Sequence, residues 1–272
     1  MIHPAAFVDP DAQIHPTATI APYALVEGPV VIGAGTQVQS HAVITGHVTI
    51  GTDNVIGYGA VLGGLPQDLS FNPRTVSFVR VGDRNVIREH CTIHRGTKPD
   101  SATTVGSGNL LMVGAHLGHN VVVGDNVILA NNVLLGGYVT VADRAFLGGG
   151  SVVHQFTRIG QIALLQGMTA VSKDIPPFGV AAGRNSVVGL NVVGLKRAGF
   201  DPASRHEAKR AFDLLYHGGL NIAQAREQAA QQAWRPEIRT FWEFVAASKR
   251  GICGFSAWSR VKGRSVTGEE EG

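Results

Sequence analysis

The sequence predicts an all-β solenoid of hexapeptide repeats that is followed by a small α-helical domain. Residues 105–164 read as ten blocks of six, and each block opens with an aliphatic residue. A period of six is neither the 3.6 of an amphipathic helix nor the 2 of a half-buried strand. It is typical of a β-helix, whose units bury their apolar side by stacking on their neighbours. The 35 glycines, with only 16% charged and 7% aromatic residues, suit tight turns around a narrow aliphatic interior.

The repeat starts at the beginning of the chain. Its aliphatic leads fall six residues apart, at Ile2, Val8, Ile14, Ile20, Val26, Ile32, Val38, Ile44, Ile50, Ile56 and Leu62. Prolines recur with the same spacing at Pro10, Pro16 and Pro22, which suits corners where no ladder donor is needed. The repeat fails over residues 63–80 and again over 96–104. We therefore expect a β-helix over residues 1–177 with two projecting loops, and such insertions often lie on the binding face.

The end of the chain has a different composition. The proline pair at Pro176 and Pro177 predicts the end of regular pairing, and residues 178–192 read as an extended connector. An apolar stripe within 203–216, a candidate cap at Asn221 and an opening Pro236 predict three helices. The sequence thus predicts a helical domain over 193–252 and a flexible tail over 253–272.

Charge, hydropathy and cysteine content exclude several classes of protein. The net charge of +3 and pI of about 9.0 favour an anionic partner, such as a nucleotide or an acidic carrier protein. The basic residues are scattered, which argues against nucleic-acid binding. The sequence has no apolar run long enough to predict a transmembrane segment. Met1 to Pro4 lack the start of a signal peptide, and Cys91 and Cys253 read as reduced thiols. We therefore expect a cytoplasmic protein.

The chain resembles a known protein family from Ile2 to about Arg250, and eight short sequence motifs carry this resemblance. They are PQDL at 66–69, IHRGT at 93–97, NLLM at 109–112, AHLGH at 115–119, ILANN at 128–132, VHQF at 153–156, DIPP at 174–177 and GLKRAGF at 194–200. In these words the chain resembles the acyl-[acyl carrier protein]–UDP-N-acetylglucosamine O-acyltransferases, which catalyse the first step of lipid A synthesis. The resemblance implies a left-handed parallel β-helix, a homotrimer with active sites between subunits, and no cofactor or metal. The implied partners are acyl carrier protein and UDP-N-acetylglucosamine, and the implied reaction transfers a 3-hydroxyacyl chain to the sugar 3-hydroxyl.

The resemblance also implies the catalytic residues. A sugar hydroxyl is a poor nucleophile at neutral pH, so a base must take its proton, and histidine has a suitable pKa. His119 falls on the family's catalytic-base position, with Asn120 beside it. His116 falls on a neighbouring position that places the acyl donor or substrate. Gly137 falls where a backbone N–H stabilises the charge that develops on the thioester oxygen.

Seven further residues fall on substrate-binding positions of the family: Gln67, Asp68, His154, Gln155, Gly167, Asn191 and Arg197. Gln67 and Asp68 are expected to reach the sugar from a neighbouring subunit, and Gln155 to meet the sugar-nucleotide. Asn191 and Arg197 are expected to hold the nucleotide, Arg197 through its diphosphate. Gly167 is expected to leave room for the acyl chain.

Four positions depart from the family pattern. Asn120 stands in place of Asp, Tyr138 of His, Ser70 of Lys and Val193 of Glu. The amide oxygen of Asn120 can orient an imidazole but cannot stabilise an imidazolium as a carboxylate does. The departures leave two alternatives open, namely a paralogous acyltransferase with another UDP-amino-sugar acceptor and a weakly active or non-catalytic homologue.

A third alternative is a hexapeptide carbonic anhydrase, in which histidines from neighbouring subunits hold zinc. Such a site needs three histidines that converge on the metal and one open position. His94, His116, His119 and His154 are the candidates. Their spacing is not the familiar one for that class, and the helical C-terminal region favours the acyltransferase.

Overall fold

The computed structural model of the chain describes residues 1–256, and most of them form a parallel β-helix. Each coil contributes one short strand to each of three sheets, so neighbours within a sheet are usually three strands apart along the chain. All pairings between coils are parallel. Among the described strands, the antiparallel exception is the hairpin of β26 (Gly179–Ala181) and β27 (Ser186–Leu190).

Sheet 1 contains β1 (Phe7–Val8), β4 (Leu25–Glu27), β7 (Val43–Thr45), β10 (Val61–Gly64), β13 (Thr92–His94), β16 (His116–Leu117), β19 (Leu134–Leu135), β22 (Val152–Val153) and β25 (Ala170–Val171). Sheet 2 contains β2 (Gln13–Ile14), β5 (Val31–Ile32), β8 (His47–Ile50), β11 (Phe78–Val81), β14 (Ala102–Val105), β17 (Val122–Val123), β20 (Thr140–Val141) and β23 (Arg158–Ile159). Sheet 3 contains β3 (Thr19–Ile20), β6 (Gln37–Val38), β9 (Val55–Ile56), β12 (Val86–Ile87), β15 (Leu110–Leu111), β18 (Ile128–Leu129), β21 (Phe146–Leu147), β24 (Leu164–Leu165), β26 (Gly179–Ala181), β27 (Ser186–Leu190) and β28 (Gly254–Phe255).

The six-residue pattern sets both the core and the register. The ten aliphatic leads of residues 105–164 are each at most 3% exposed. Three hexads make one coil, so residues 18 apart in sequence pair across coils, as Leu110 does with Ile128. Burying one such side chain contributes about 1.5–3 kcal/mol, and stacking coils therefore supplies most of the solenoid's stability.

A ladder of buried asparagines ties successive coils together at one corner. The Asn54 Oδ1 accepts hydrogen bonds of 2.9 Å from both the backbone N and the Nδ2 of Asn85. The Asn85 Oδ1 in turn accepts from the Asn109 N at 2.9 Å, and the Asn109 Oδ1 from the Val127 N at 2.7 Å. Each side chain satisfies a backbone donor that the corner would otherwise leave unpaired.

Two loops project where the repeat was predicted to fail. One spans residues 65–77 between β10 and β11, and the other spans 95–101 between β13 and β14. Arg95 joins them, because its guanidinium donates to the Pro73 carbonyl at 2.9 Å and lies 5.3 Å from the centre of the Phe71 ring. The longer loop is thereby held against the solenoid.

Within residues 1–256, four helices follow the solenoid: α1 (Val192–Arg197), α2 (Pro202–Tyr216), α3 (Ile222–Ala230) and α4 (Pro236–Ala246). Asp201 caps α2 through the Ser204 N, and Asn221 forms a capping box with Gln224 at α3. Among the described residues, no helix combines the length and the apolar character needed to cross a membrane.

Two predictions about this region are wrong in detail. The segment 178–192, expected to be a connector, contains β26 and β27, which extend sheet 3. The tail, expected to be flexible from residue 253, begins with β28, whose Gly254 and Phe255 pair with Ser186 and Val187 of β27. The remainder of the predicted tail, 257–272, lies outside the described residues.

Candidate active site

A cavity of about 660 Å³ opens beside the last coils of sheet 1. His119, Gly137 and Gln155 line it, and they are spaced 18 residues apart, so they occupy equivalent positions in three successive coils. Neighbouring strands lie about 4.8 Å apart, which places these three residues in one column. His116 and His154 line the same cavity from β16 and from the residue after β22. With Gln67, which lines the cavity as well, the structure brings six of the expected site residues together.

The imidazole of His119 is oriented by Asn120. The His119 Nδ1 lies 3.1 Å from the Asn120 Oδ1, which also accepts from the Thr97 backbone N and the Thr97 Oγ1, each at 3.0 Å. A backbone N–H can only donate, so the amide oxygen must face Thr97 and His119. The His119 Nδ1 then carries the proton, and the Nε2 is left as an acceptor.

Gly137 has no space for a side chain. A Cβ at this position would lie 2.5 Å from both the Cε1 and the Nε2 of His119, well inside van der Waals contact. The Gly137 N–H forms no hydrogen bond within residues 1–256, although the Gly137 carbonyl accepts from the Phe156 N. A donor next to the acceptor nitrogen of His119 suits stabilisation of a developing oxyanion.

Two neutral histidines line the cavity next to His119. The rings of His94 and His116 meet edge to face at 4.9 Å, and the His116 Nδ1 lies 2.7 Å from the Thr92 Oγ1. Burial, with smaller effects of His116 and His119, lowers the pKa of His94 to about 4, and burial lowers the pKa of His116. Both rings are therefore uncharged at neutral pH and act as hydrogen-bonding groups.

The loop over residues 65–77 contributes Gln67 to the cavity of its own chain. This differs from the expectation that Gln67 and Asp68 reach the sugar from a neighbouring subunit. The Asp68 Oδ1 accepts from the Ser70 Oγ at 2.7 Å and from the Ser70 N at 2.8 Å. These two bonds, with a smaller effect of His119, lower the pKa of Asp68, so the carboxylate is ionised and fixed in direction.

The structure does not bring Asn191 and Arg197 to His119. They line a second cavity of about 520 Å³, together with Arg144 and Val193. The Asn191 side chain is committed to local bonds, since its Oδ1 caps α1 through the Gly194 N and its Nδ2 donates to the Ile162 carbonyl, each at 2.8 Å. Arg197 is exposed.

Gly167 lines neither of these two cavities. It is exposed at a corner, where an added Cβ would meet only the Gly149 carbonyl oxygen, at 3.4 Å. Within the single chain it therefore bounds no acyl-chain pocket.

Several cavity residues escaped sequence reasoning. Ser172, Arg184 and Asn185 line the open end, and the Asn185 Oδ1 accepts from the Ser172 N at 2.7 Å. Arg184 and Asn185 lie in the predicted connector, 178–192, where the sequence shows no motif. Thr97 closes the IHRGT word, and its bonds to Asn120 depend on the path of the loop over 95–101.

Zinc binding by the histidines finds no support in the single chain. Within residues 1–256, no group of three His, Cys, Asp or Glu side chains is arranged to hold a metal ion. His94 and His116 contact each other through ring edge and face instead of converging on a common point.

Family models match both parts of the chain. The model described as bacterial transferase hexapeptide (six repeats) matches residues 11–46, 29–64 and 102–137. The model described as UDP N-acetylglucosamine O-acyltransferase, domain 2, matches residues 174–253. Together they match parts of the solenoid and all four helices.

Characterised relatives agree along almost the whole chain. The acyl-[acyl-carrier-protein]–UDP-N-acetylglucosamine O-acyltransferase of Burkholderia lata is 45% identical over 258 residues, which are 92% of this chain and 98% of the relative. The solved UDP-N-acetylglucosamine acyltransferase of Francisella novicida is 36% identical with a TM-score of 0.90, covering 94% of each chain. That of Arabidopsis is 32% identical with a TM-score of 0.85, covering 93% of this chain and all of the other. These likenesses confirm the predicted left-handed parallel β-helix with C-terminal helices.

Proposed function

This chain belongs to the acyl-[acyl carrier protein]–UDP-N-acetylglucosamine O-acyltransferase family, and from that premise we propose how its residues perform the family's reaction. A 3-hydroxyacyl chain is transferred from acyl carrier protein to the 3-hydroxyl of UDP-N-acetylglucosamine, as the first step of lipid A biosynthesis. The observation that carries the proposal is the column of His119, Gly137 and Gln155 along one cavity wall. A cytoplasmic location belongs to the same proposal, and no resident cofactor or metal is needed.

His119 acts as the general base. Its Nε2 takes the proton of the sugar hydroxyl while the hydroxyl oxygen attacks the thioester carbonyl carbon. The negative charge that develops on the carbonyl oxygen is stabilised by the Gly137 N–H. Collapse of the tetrahedral intermediate breaks the carbon–sulfur bond, and the thiolate of the carrier takes up the proton from His119. The ester and the free carrier thiol are the products.

Asn120 supplies orientation without charge. Its Oδ1 lies 3.1 Å from the His119 Nδ1 and so selects the tautomer with an unprotonated Nε2. A carboxylate would in addition stabilise the imidazolium. The proposal therefore includes retained activity, with a smaller electrostatic contribution than a carboxylate would give.

Residues from a neighbouring subunit complete the substrate site. Asn191 and Arg197 line the second cavity, so a role in nucleotide binding requires a second copy of the chain beside the first. Outward-facing apolar side chains support such packing: Val122, Leu134, Phe146 and Val152 are 37–44% exposed in the single chain. A homotrimer, in which each copy faces two others, buries these positions and brings two chains to every site.

A panel of acceptors tests the substrate assignment. Purified protein is incubated with 3-hydroxyacyl carrier protein and several UDP-sugars, and the products are identified and quantified by mass spectrometry. We expect the highest kcat/KM with UDP-N-acetylglucosamine. A clear preference for another UDP-amino-sugar would favour the paralogous enzyme, which the Ser70 and Val193 departures suggest. A folded trimer that transfers to none of them would be a non-catalytic homologue.

Arg197 offers a test of the composite site. Arg197→Ala is expected to raise the KM for the UDP-sugar about tenfold or more, because a charge-assisted contact to phosphate is lost. Arg226, an exposed arginine of α3, serves as the matched control through Arg226→Ala. Equal KM values for the two variants would remove Arg197 from the site.

The proposed homotrimer is tested by analytical ultracentrifugation. Sedimentation should give a mass three times the 28.6 kDa of the chain.

A further inference from the structure

We propose that Thr97 and Tyr138 are positioning residues, which hold the Asn120 amide in the orientation that keeps the His119 Nε2 free to accept a proton. The inference rests on the proposed role of His119 as the base. It joins two departures from the family pattern, at Asn120 and Tyr138, through one hydroxyl group.

The hydrogen bonds run in one direction from Tyr138 to Asn120. The Thr97 Oγ1 lies 3.0 Å from the Asn120 Oδ1 and 3.1 Å from the Tyr138 hydroxyl oxygen. An amide oxygen only accepts, so the single hydroxyl proton of Thr97 must point to Asn120. The Tyr138 hydroxyl must then donate to the Thr97 Oγ1.

The orientation matters because an amide has two unlike ends. If the Asn120 amide turned over, its Nδ2 would donate to the His119 Nδ1, and the ring proton would move to the Nε2. In that tautomer His119 cannot accept the proton of the sugar hydroxyl. A carboxylate has two equivalent oxygens and needs no such control, so an asparagine at this position creates a requirement that an aspartate does not.

The Tyr138 ring is held so that its hydroxyl reaches Thr97. It stacks on Phe156 with centroids 4.9 Å apart and planes 11° from parallel. Its other neighbour is His119, which it meets edge to face at 5.2 Å. Tyr138 also adopts a φ of 60°, a left-handed conformation that favours Gly and Asn over a bulky side chain.

Removing either hydroxyl should change the tautomer and the turnover number together. Thr97→Val leaves the Thr97 backbone N–H bonded to the Asn120 Oδ1, so we expect kcat to fall by up to about tenfold, the effect of one neutral hydrogen bond on an equilibrium, with KM unchanged. Tyr138→Phe keeps both ring contacts and is expected to lower kcat about threefold. The ¹⁵N shifts of the His119 ring, in histidine-labelled protein and assigned by the spectrum of His119→Ala, should show a population with the proton on Nε2.

Two controls separate positioning from a general loss of structure. Thr97→Ser keeps the hydroxyl and should retain wild-type turnover and tautomer. Thr157→Val makes the same change at a buried threonine whose hydroxyl has no hydrogen-bond partner within residues 1–256, and it should leave the His119 shifts unaltered.

The deciding experiment repeats Thr97→Val and Tyr138→Phe in the Asn120→Asp background. There the losses in kcat should shrink to within about twofold, since both ends of a carboxylate accept. Equal losses in the two backgrounds, or an unchanged His119 tautomer in Thr97→Val, would overturn the proposal. The ¹⁵N readout needs no turnover, so a failure of the proposed function would appear separately, as activity that survives His119→Ala.

Discussion

Replacing Gly137 with alanine should disable the base by displacing the His119 imidazole, although His119 itself is unchanged. The new Cβ would lie 2.5 Å from the Nε2 and the Cε1 of His119, whereas ordinary contacts begin at 3.4 Å. The imidazole or the corner must therefore move by about 1 Å. A displacement of that size at a reacting group costs about 10²-fold in rate, and we expect this loss in kcat/KM for Gly137→Ala.

The assay is steady-state acyl transfer with circular dichroism as a check of folding. Gly189→Ala is the matched control, because an added Cβ there meets no heavy atom of the described residues within 4 Å and the backbone does not adopt a positive φ. It should stay within about twofold of the parent. A Gly137→Ala variant with kcat/KM within threefold of the parent, in a folded protein, would refute the close approach of Gly137 and His119.

Three further predictions concern the ladder, the neutral histidines and the loop. Asn54→Ala should lower the free energy of unfolding by about 2–3 kcal/mol, because the buried N and Nδ2 donors of Asn85 in the next coil lose their acceptor. Denaturant titrations at fixed protein concentration measure this loss, and an unchanged midpoint would contradict the role of the ladder. Because the pKa of His94 is lower in the folded protein than in the unfolded chain, the unfolded chain is protonated at a higher pH as the pH falls. The free energy of unfolding should therefore decrease by about 1–2 kcal/mol from pH 7 to pH 4.5, and by less in His94→Gln. Arg95→Ala should raise the KM for the UDP-sugar about tenfold by releasing the loop 65–77, while Arg74→Ala, an exposed change in the same loop, should not.

The solenoid could be predicted because its structure repeats along the chain with the same period as the sequence. Each aliphatic lead faces the interior at the same point of the coil, so the period read from the sequence is the period of the structure. The same period explains the column of His119, Gly137 and Gln155 that the structure shows, since residues 18 apart stack across coils. In a repeat architecture, residues separated by a whole coil in sequence therefore lie next to each other in space.

The irregular parts could not be read in this way. Arg184 and Asn185 belong to a hairpin that extends sheet 3 after the repeat has ended, and no periodicity marks it. The contact between Thr97 and Tyr138 joins residues 41 apart and depends on the path of a loop. Asn191 illustrates the opposite case, in which a residue expected in the substrate site is engaged as a helix cap in the single chain.

The departures at Asn120 and Tyr138 gain a physical meaning only from the structure. From the sequence, each looked like a loss of a family group. In the fold they lie at the two ends of one hydrogen-bonded chain that orients His119. A paired substitution that preserves the tautomer of the base is consistent with a working enzyme.

The most direct test of the central claim is the rate of acyl transfer to UDP-N-acetylglucosamine by the purified protein and by His119→Ala. His206→Ala, which changes an exposed histidine of α2, serves as the control. The proposed mechanism predicts ester formation that falls by at least about 10²-fold in His119→Ala and is unchanged in His206→Ala. Turnover that survives in His119→Ala would contradict the assignment of the base, and no turnover in the folded parent protein would contradict the reaction itself.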